Sequence, residues 1–265
     1  MTMPIRKSDI RFAFFGNAPL AEPVLVELAL GGLGPQRSVS STELTADVIA
    51  ELKRESWDVF VVASFGKILP GSLLDIPRKG TVNVHPSLLP RLRGPSPIRS
   101  VILNDEKETG VSVMLLDEQM DHGPLLAQKK VAIPTWPPHG RELDELLARE
   151  GGRLLAQVLP LWIADKIVAQ PQNHDIATYC KVFTKEDGLL DLSADAYLNL
   201  LKIRAFERWP GTYTFFERAG KRLRVQILDA HLERGGLEID TVKPEGKKEM
   251  PYADFLRSGA RPVNG

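Results

Sequence analysis

Asp58-Val59-Phe60-Val61-Val62-Ala63 and Thr81-Val82-Asn83-Val84-His85-Pro86 are the stretches on which the fold turns. The first is a continuous β-branched and aromatic run. That is the composition of a strand buried on both faces, as in a parallel sheet covered by helices. The second is a shorter strand, stopped by Pro86, which has no N–H to give to a ladder. Upstream, Ile10 to Phe15 reads as another buried strand and ends at Gly16-Asn17. Between these strands lie two helical patterns. Leu20, Val24, Leu25, Leu28, Leu30 and Leu33 define one, closed by the glycine-rich stretch from Gly31 to Pro35; Thr42 to Arg54 is the other. Downstream, Pro95 to Leu103 reads as a helix, Gly110 to Leu116 and Leu125 to Ile133 as strands, and Gly140 to Ile163 as a long amphipathic helix. Strands alternating with helices predict an α/β fold with a mainly parallel, Rossmann-like sheet.

After about residue 168 the pattern changes. Thr212 to Glu217, Leu223 to Ala230 and Leu237 to Val242 are short strand-like runs separated by glycine and charged turns. They predict a small β-rich domain of OB-like barrel type. The expected division is therefore 1–168 and 169–265, with Arg257 to Gly265 loosely held. The first turn lacks G-x-G-x-x-G and G-x-x-x-x-G-K-[ST], so neither a dinucleotide nor an ATP site is expected there.

The chain has 265 residues, 43% hydrophobic and 26% charged, with formal net charge +0. Such a balance gives no global pull towards nucleic acid or membrane, though a local basic face can still bind RNA. The single cysteine, Cys180, allows no internal disulfide and reads as a small buried side chain. Phe12 to Phe15 is too short for a signal core, and no run reaches the length of a membrane span, so a cytoplasmic protein is expected.

The chemistry concentrates at residues 81–97. On a strand, residues two apart share a face, so Asn83 and His85 project together while Val84 points the other way. In open α/β sheets ligands bind at the carboxyl ends of the strands. Asp117-Glu118-Gln119-Met120-Asp121-His122-Gly123-Pro124 follows the 110–116 strand and is expected to emerge at the same sheet edge. Asp121 is then a carboxylate partner that orients the His85 imidazole. Taken alone, Asn-x-His is more often a satisfied strand end; the proline-framed loop and the Asp-x-Gly segment tip the balance. Ser87 lacks a G-x-S-x-G context and is not read as a nucleophile. Asp121 and His122 lack a further ligand pair at metal-binding spacing, so no metal is expected.

Asn83-Val84-His85-Pro86-Ser87-Leu88-Leu89-Pro90, followed by Asp121-x-Gly123, resembles the folate-dependent formyltransferase family. The resemblance implies 10-formyltetrahydrofolate as formyl donor and Asn83, His85 and Asp121 as catalytic residues. Asn83 would donate to the developing oxyanion, and either His85 or Asp121 would be the base. It further implies a folate site at Phe65, Gly66, Ser87, Leu88, Leu89, Pro90, Asp117 and Gly123. Two later segments, Ala177 to Asp187 and Ile203 to Thr212, with the tail around Val242 to Met250, resemble the family members that act on tRNA. The partner so implied is initiator methionyl-tRNA. Its phosphates would meet Arg91, Arg93, Arg218, Lys221, Arg222, Arg224, Lys247 and Lys248, residues otherwise read as a solvated surface. A monomer is expected. One departure stands out: the tRNA-acting members carry a long basic loop after the first helix. Here only Gly31 to Ser41 separates the two helices, Arg37 is its one charge, and the second strand is expected reduced or missing. That shortening favours an alternative, formyl transfer to an amino-sugar nucleotide; a non-catalytic RNA-binding relic is the third reading.

Overall fold

A computed structural model describes residues 6–263. By internal contact the chain forms two compact units. One takes the segments up to Pro97, Glu108–Ala132 and Asp144–Lys181; the other takes Ile98–Lys107, Ile133–Leu143 and everything from Val182 on.

The first unit is built on a six-stranded sheet. Up to Ile163 the elements in chain order are β1 (Phe12–Gly16), α1 (Glu22–Leu30), β2 (Arg37–Val39), α2 (Ala46–Arg54), β3 (Val59–Ala63), α3 (Gly71–Leu74), β4 (Thr81–His85), α4 (Pro97–Leu103), β5 (Thr109–Leu115), β6 (Leu125–Val131) and α5 (Gly140–Ile163). Beyond Pro97, α4 is counted with the second unit, as is the start of α5. The strand order is β2-β1-β3-β4-β5-β6. The first four strands run parallel, β5 is antiparallel to β4, and β6 is antiparallel to β5. Every residue of β3 is buried, as its unbroken apolar composition requires. Phe15, Phe60, Phe65 and Trp57 pack together as tilted and edge-to-face rings on one side of it. The strand after the first helix is reduced to three residues rather than lost.

The long helix α5 lies close on the sheet because it carries Gly151-Gly152 at its middle. A Cβ at Gly151 would come 2.5 Å from Val84 Cγ1, and one at Gly152 would meet Glu27 and Val24 of α1 at 2.9–3.0 Å. Val84 thus points into the α5 side of the sheet, as the alternation predicts, and Asn83 and His85 take the other face. Glu27, buried in that packing, is paired with Arg153 at 3.1 Å.

In the second unit lie α6 (Ala196–Ala205), β7 (Thr212–Arg218), β8 (Lys221–Glu233), β9 (Gly236–Pro244), β10 (Met250–Pro251), α7 (Tyr252–Arg257) and β11 (Arg261–Pro262). The strands form a five-stranded antiparallel sheet in the order β10-β9-β8-β7-β11. Phe216, Val225, Ile227 and Val242 of this sheet bury against Ile203 of α6 and Phe255 of α7. The expectation of a loose tail is corrected over 257–263: Arg261 and Pro262 pair with β7, and Val263 N donates to Phe215 O. Residues 264 and 265 lie outside the described residues. Among the described residues no helix is long and apolar enough to cross a membrane.

Candidate active site

A cleft of about 350 Å³ opens where β3 and β4 end. Phe65, Ile68, Leu69 and Met120 supply apolar walls, and Asn83, His85, Asp117 and Asp121 supply polar groups. Asn83 and Val62 are partners in the β3–β4 ladder, so both sit on the face that lines it. Among the described residues none hydrogen-bonds the Asn83 amide, which leaves both N–H donors for a ligand.

The acidic loop reaches the cleft by a different route from the one expected. Because β5 is antiparallel to β4, the carboxyl end of β5 lies beside the start of β4: Leu115 faces Val82, and Leu116 N donates to Thr81 O. Residues 116–121 then fold back over the sheet face, roughly 10 Å at the rise of a strand, to bring Asp121 to His85. The Asp117 carboxylate stiffens that loop, accepting from Gln119 N at 2.9 Å and meeting His122 Nδ1 at 2.7 Å. Asp121 takes a left-handed backbone conformation, φ 50°, which Asp tolerates better than most residues.

His85 Nδ1 lies 3.6 Å from Asp121 Oδ2, beyond hydrogen-bond range, and the two side chains are only 6% and 12% exposed. Nε2 faces Leu92 O at 3.0 Å. A carbonyl can only accept, so Nε2 carries a proton, and Nδ1 is the ring nitrogen turned towards Asp121. Asp121 Oδ2 also accepts from Gly94 N at 2.7 Å. The result is an amide, an imidazole anchored through Nε2 and an anchored carboxylate around one opening, the equipment for acyl transfer to an amine.

The other expected site residues divide. Phe65, Gly66 and Asp117 line the cleft. Ser87, Leu88, Leu89, Pro90 and Gly123 are not among the residues that line it. Ser87 is 1% exposed and its hydroxyl donates to Arg91 O. Ser112 Oγ donates to Ser87 O and accepts from Leu89 N, and Gln128 donates to Leu89 O, which straps the loop to β5 and β6. Leu88 packs over Gly110, and Pro90 O accepts from Thr178 N.

Among the basic residues, Arg91, Lys221, Arg222, Lys247 and Lys248 are exposed and Arg218 and Arg224 are half-buried. Arg93 is the correction. It is 1% exposed, held by Gln172, His174 and Tyr179, and is unavailable to a phosphate. Residue typing at a basic stretch cannot tell a buried arginine from a surface one. Gln172 and the Gly94 N–H escape the sequence reading altogether, since neither stands in a patterned segment.

Sheet, cleft and convergent Asn-His-Asp groups define a class, and the chain belongs to the formyl transferase family, whose model matches residues 26–159. Along 91% of its length it is 36% identical to a protein of Roseiflexus sp. (strain RS-1) named methionyl-tRNA formyltransferase, of which it covers 80%. Its fold is also that of methionyl-tRNA formyltransferase from Clostridium thermocellum (TM-score 0.69, 17% identity, 89% of this chain and 98% of that one). A sugar N-formyltransferase from Shewanella sp. shares it as well (TM-score 0.63, 19% identity, 85% and 99%).

Proposed function

We propose that this protein transfers the formyl group of 10-formyltetrahydrofolate to the amino group of methionyl-initiator tRNA. The observation that carries the reading is the meeting of Asn83, His85 and Asp121 at one cleft, in a chain with methionyl-tRNA formyltransferases as relatives along nearly its whole length. The cleft suits the reduced pterin end of a folate: its volume is in the range of small-molecule sites, with apolar walls and a few polar groups. Phe65, Gly66, Ile68 and Met120 would hold the ring system, with Asp117 at its polar edge. The donor supplies an activated acyl group.

Asn83 donates through its amide to the formyl oxygen as that oxygen gains charge, a contribution of about 3–4 kcal/mol for one such donor. His85 receives the amine proton at Nδ1, the nitrogen its bond to Leu92 O leaves free. Asp121, 3.6 Å away, stabilises the imidazolium so formed. As the tetrahedral intermediate collapses, the bond from the formyl carbon to N10 breaks, the imidazolium gives its proton to N10, and tetrahydrofolate leaves with His85 restored. No covalent enzyme intermediate is needed.

We assign residues 1–168 to formyl transfer and the part of 169–265 from Val182 on to an OB-like, tRNA-binding domain, since residues up to Lys181 belong by contact to the first unit. Support comes from the outer face of the second sheet. The Arg222 guanidinium lies 3.9 Å over the Phe215 ring and that of Arg224 3.9 Å over Tyr213. Each arginine is diagonal to its ring in the β7–β8 register. Stacking fixes the plane of the guanidinium and turns its N–H edge outward, the posture for bidentate phosphate binding. Replacing Arg222 and Arg224 by glutamate is expected to weaken tRNA binding at low salt and to lower the log–log salt slope by about one for each phosphate that is no longer neutralised. Filter-binding titrations at several salt concentrations read this directly; an unchanged slope would remove these residues from the interface.

Transfer of labelled formyl from 10-formyltetrahydrofolate to purified initiator methionyl-tRNA tests the activity. A second acceptor, an amino-sugar nucleotide, is favoured by the short 31–41 segment, which offers only Arg37, and that arginine is 3.5 Å from Glu51. Folate binding without transfer to tRNA, and with transfer to the sugar, would decide for it.

A further inference from the structure

Arg93 and Gln172 touch no substrate in the reading above, yet they are among the few polar side chains almost wholly buried in this unit. Gln172 Oε1 accepts from Arg93 Nε at 3.1 Å and from Nη2 at 2.6 Å. Its Nε2 donates to Asp121 O at 2.9 Å and to Gly123 O at 2.7 Å. Those four bonds are all that a side-chain amide can make. The two carbonyls belong to the left-handed turn that presents the Asp121 carboxylate.

The same arginine holds that carboxylate from its other side. Arg93 N donates to Thr178 O, Cys180 N donates to Arg93 O, and the next residue, Gly94, gives its N–H to Asp121 Oδ2. Leu92, just before Arg93, accepts from His85 Nε2 and donates to Thr178 Oγ1. Residues 172–180 are therefore a strap that ties the backbone beside His85 and the backbone of Asp121 to one guanidinium. Among the described residues Arg93 makes no ion pair with a carboxylate. A buried cation with only neutral partners is costly, and a staple for the fold alone would be served better by apolar side chains. Costly polar groups of this kind are expected where geometry must be held for chemistry.

We propose that Arg93 and Gln172 are positioning residues that set the distance and orientation of Asp121 relative to His85. The proposal rests on the reading of His85 and Asp121 as catalytic. Gln172→Glu tests it: a carboxylate still accepts both bonds from Arg93 and pairs its charge, so the fold keeps its anchor. It has no N–H for Asp121 O and Gly123 O and sets an anionic oxygen against them.

The full-length variant is expected to lose turnover on the order of 10²-fold, the effect of displacing a catalytic group by about 1 Å. KM for 10-formyltetrahydrofolate should stay within about twofold, and any fall in melting temperature should be small, because pairing with the Arg93 charge offsets the two carbonyls left without a donor. The ¹⁵N–¹H signals of the His85 ring, assigned by their loss in His85→Gln, should move, while those of His231 stay in place. This readout needs no amine acceptor, so a wild type that does not formylate methionyl-tRNA would sink the acceptor and leave the positioning role still measured. Turnover near wild type with unmoved His85 signals overturns the proposal. Parallel losses of turnover, donor binding and melting temperature overturn it too, since they describe a structural staple. Should Gln172→Glu not fold, Arg93→Lys decides by the same criteria: it keeps the buried cation but cannot reach Gln172 and His174 together.

Discussion

His85→Gln is expected to lower the rate of formyl transfer by about 10²- to 10⁴-fold, the range for loss of a positioned general base. Glutamine is the informative replacement. Its Nε2 can still donate to Leu92 O, as the imidazole does at 3.0 Å, so the buried carbonyl keeps its partner. What disappears is the ring nitrogen facing Asp121. Alanine would remove the base equally well but would also leave Leu92 O unsatisfied and open a cavity, mixing a stability loss into the result. Asp121→Asn should cost about 10²-fold or more by deleting the charge that stabilises the imidazolium, while its side-chain carbonyl still accepts from Gly94 N. The two groups act as one unit, so the double variant should be scarcely slower than His85→Gln alone. Single-turnover rates with the formyl donor saturating measure all three. A His85→Gln enzyme at near-normal rate would end the assignment, and strictly additive losses would separate Asp121 from the imidazole.

The proposed catalytic triplet was readable in the sequence because each member sits in a segment with a simple rule. Alternation on β4 places Asn83 and His85 together, and the Asp-x-Gly motif marks Asp121. The sheet was legible for the same reason: β3, with its unbroken apolar run, and α5, with its helical period, advertise themselves. The direction of β5 did not. Its run of alternating residues is compatible with either direction, and the expectation that Asp121 leaves at the edge where β4 ends was right about the destination and wrong about the path. Short elements were likewise hidden: α6 carries no clean apolar stripe, and β10 and β11 are two-residue pairings created by their neighbours. The loop from Ser87 to Pro90 shows a third limit. Its residues are motif residues, but they face β5 and β6 through Ser112 and Gln128 rather than the cleft. A motif read by letter cannot say which side of a loop is wet. Arg93 is the sharpest case, since the same guanidinium that looks like a phosphate ligand is the buried anchor beneath Asp121.

Gly123→Ala should be nearly as damaging as losing a catalytic side chain, although glycine carries no functional group. A Cβ at this position would stand 2.0 Å from Leu115 O and 3.0 Å from Leu115 C, both backbone atoms of the β5–β6 hairpin. Backbone in a ladder cannot yield as a side chain can: Leu115 N already donates to Pro124 O, and Leu116 N to Thr81 O. The strain must therefore go into the loop, lifting Gly123 away from β5. Gly123 O and Asp121 O share one donor, Gln172 Nε2, so lifting the first releases the second. Overpacking of this kind costs about 1–3 kcal/mol in stability. The displacement of Asp121 adds a rate loss on the order of 10²-fold. The control is Gly34→Ala, where a Cβ meets nothing within 4 Å and both quantities should stay at wild-type values. Thermal melts and transfer assays on the two variants give the comparison. If Gly123→Ala transferred formyl at the rate of Gly34→Ala, Asp121 would not depend on this turn for its position, and the glycine of the Asp-x-Gly motif would need another reason to be there.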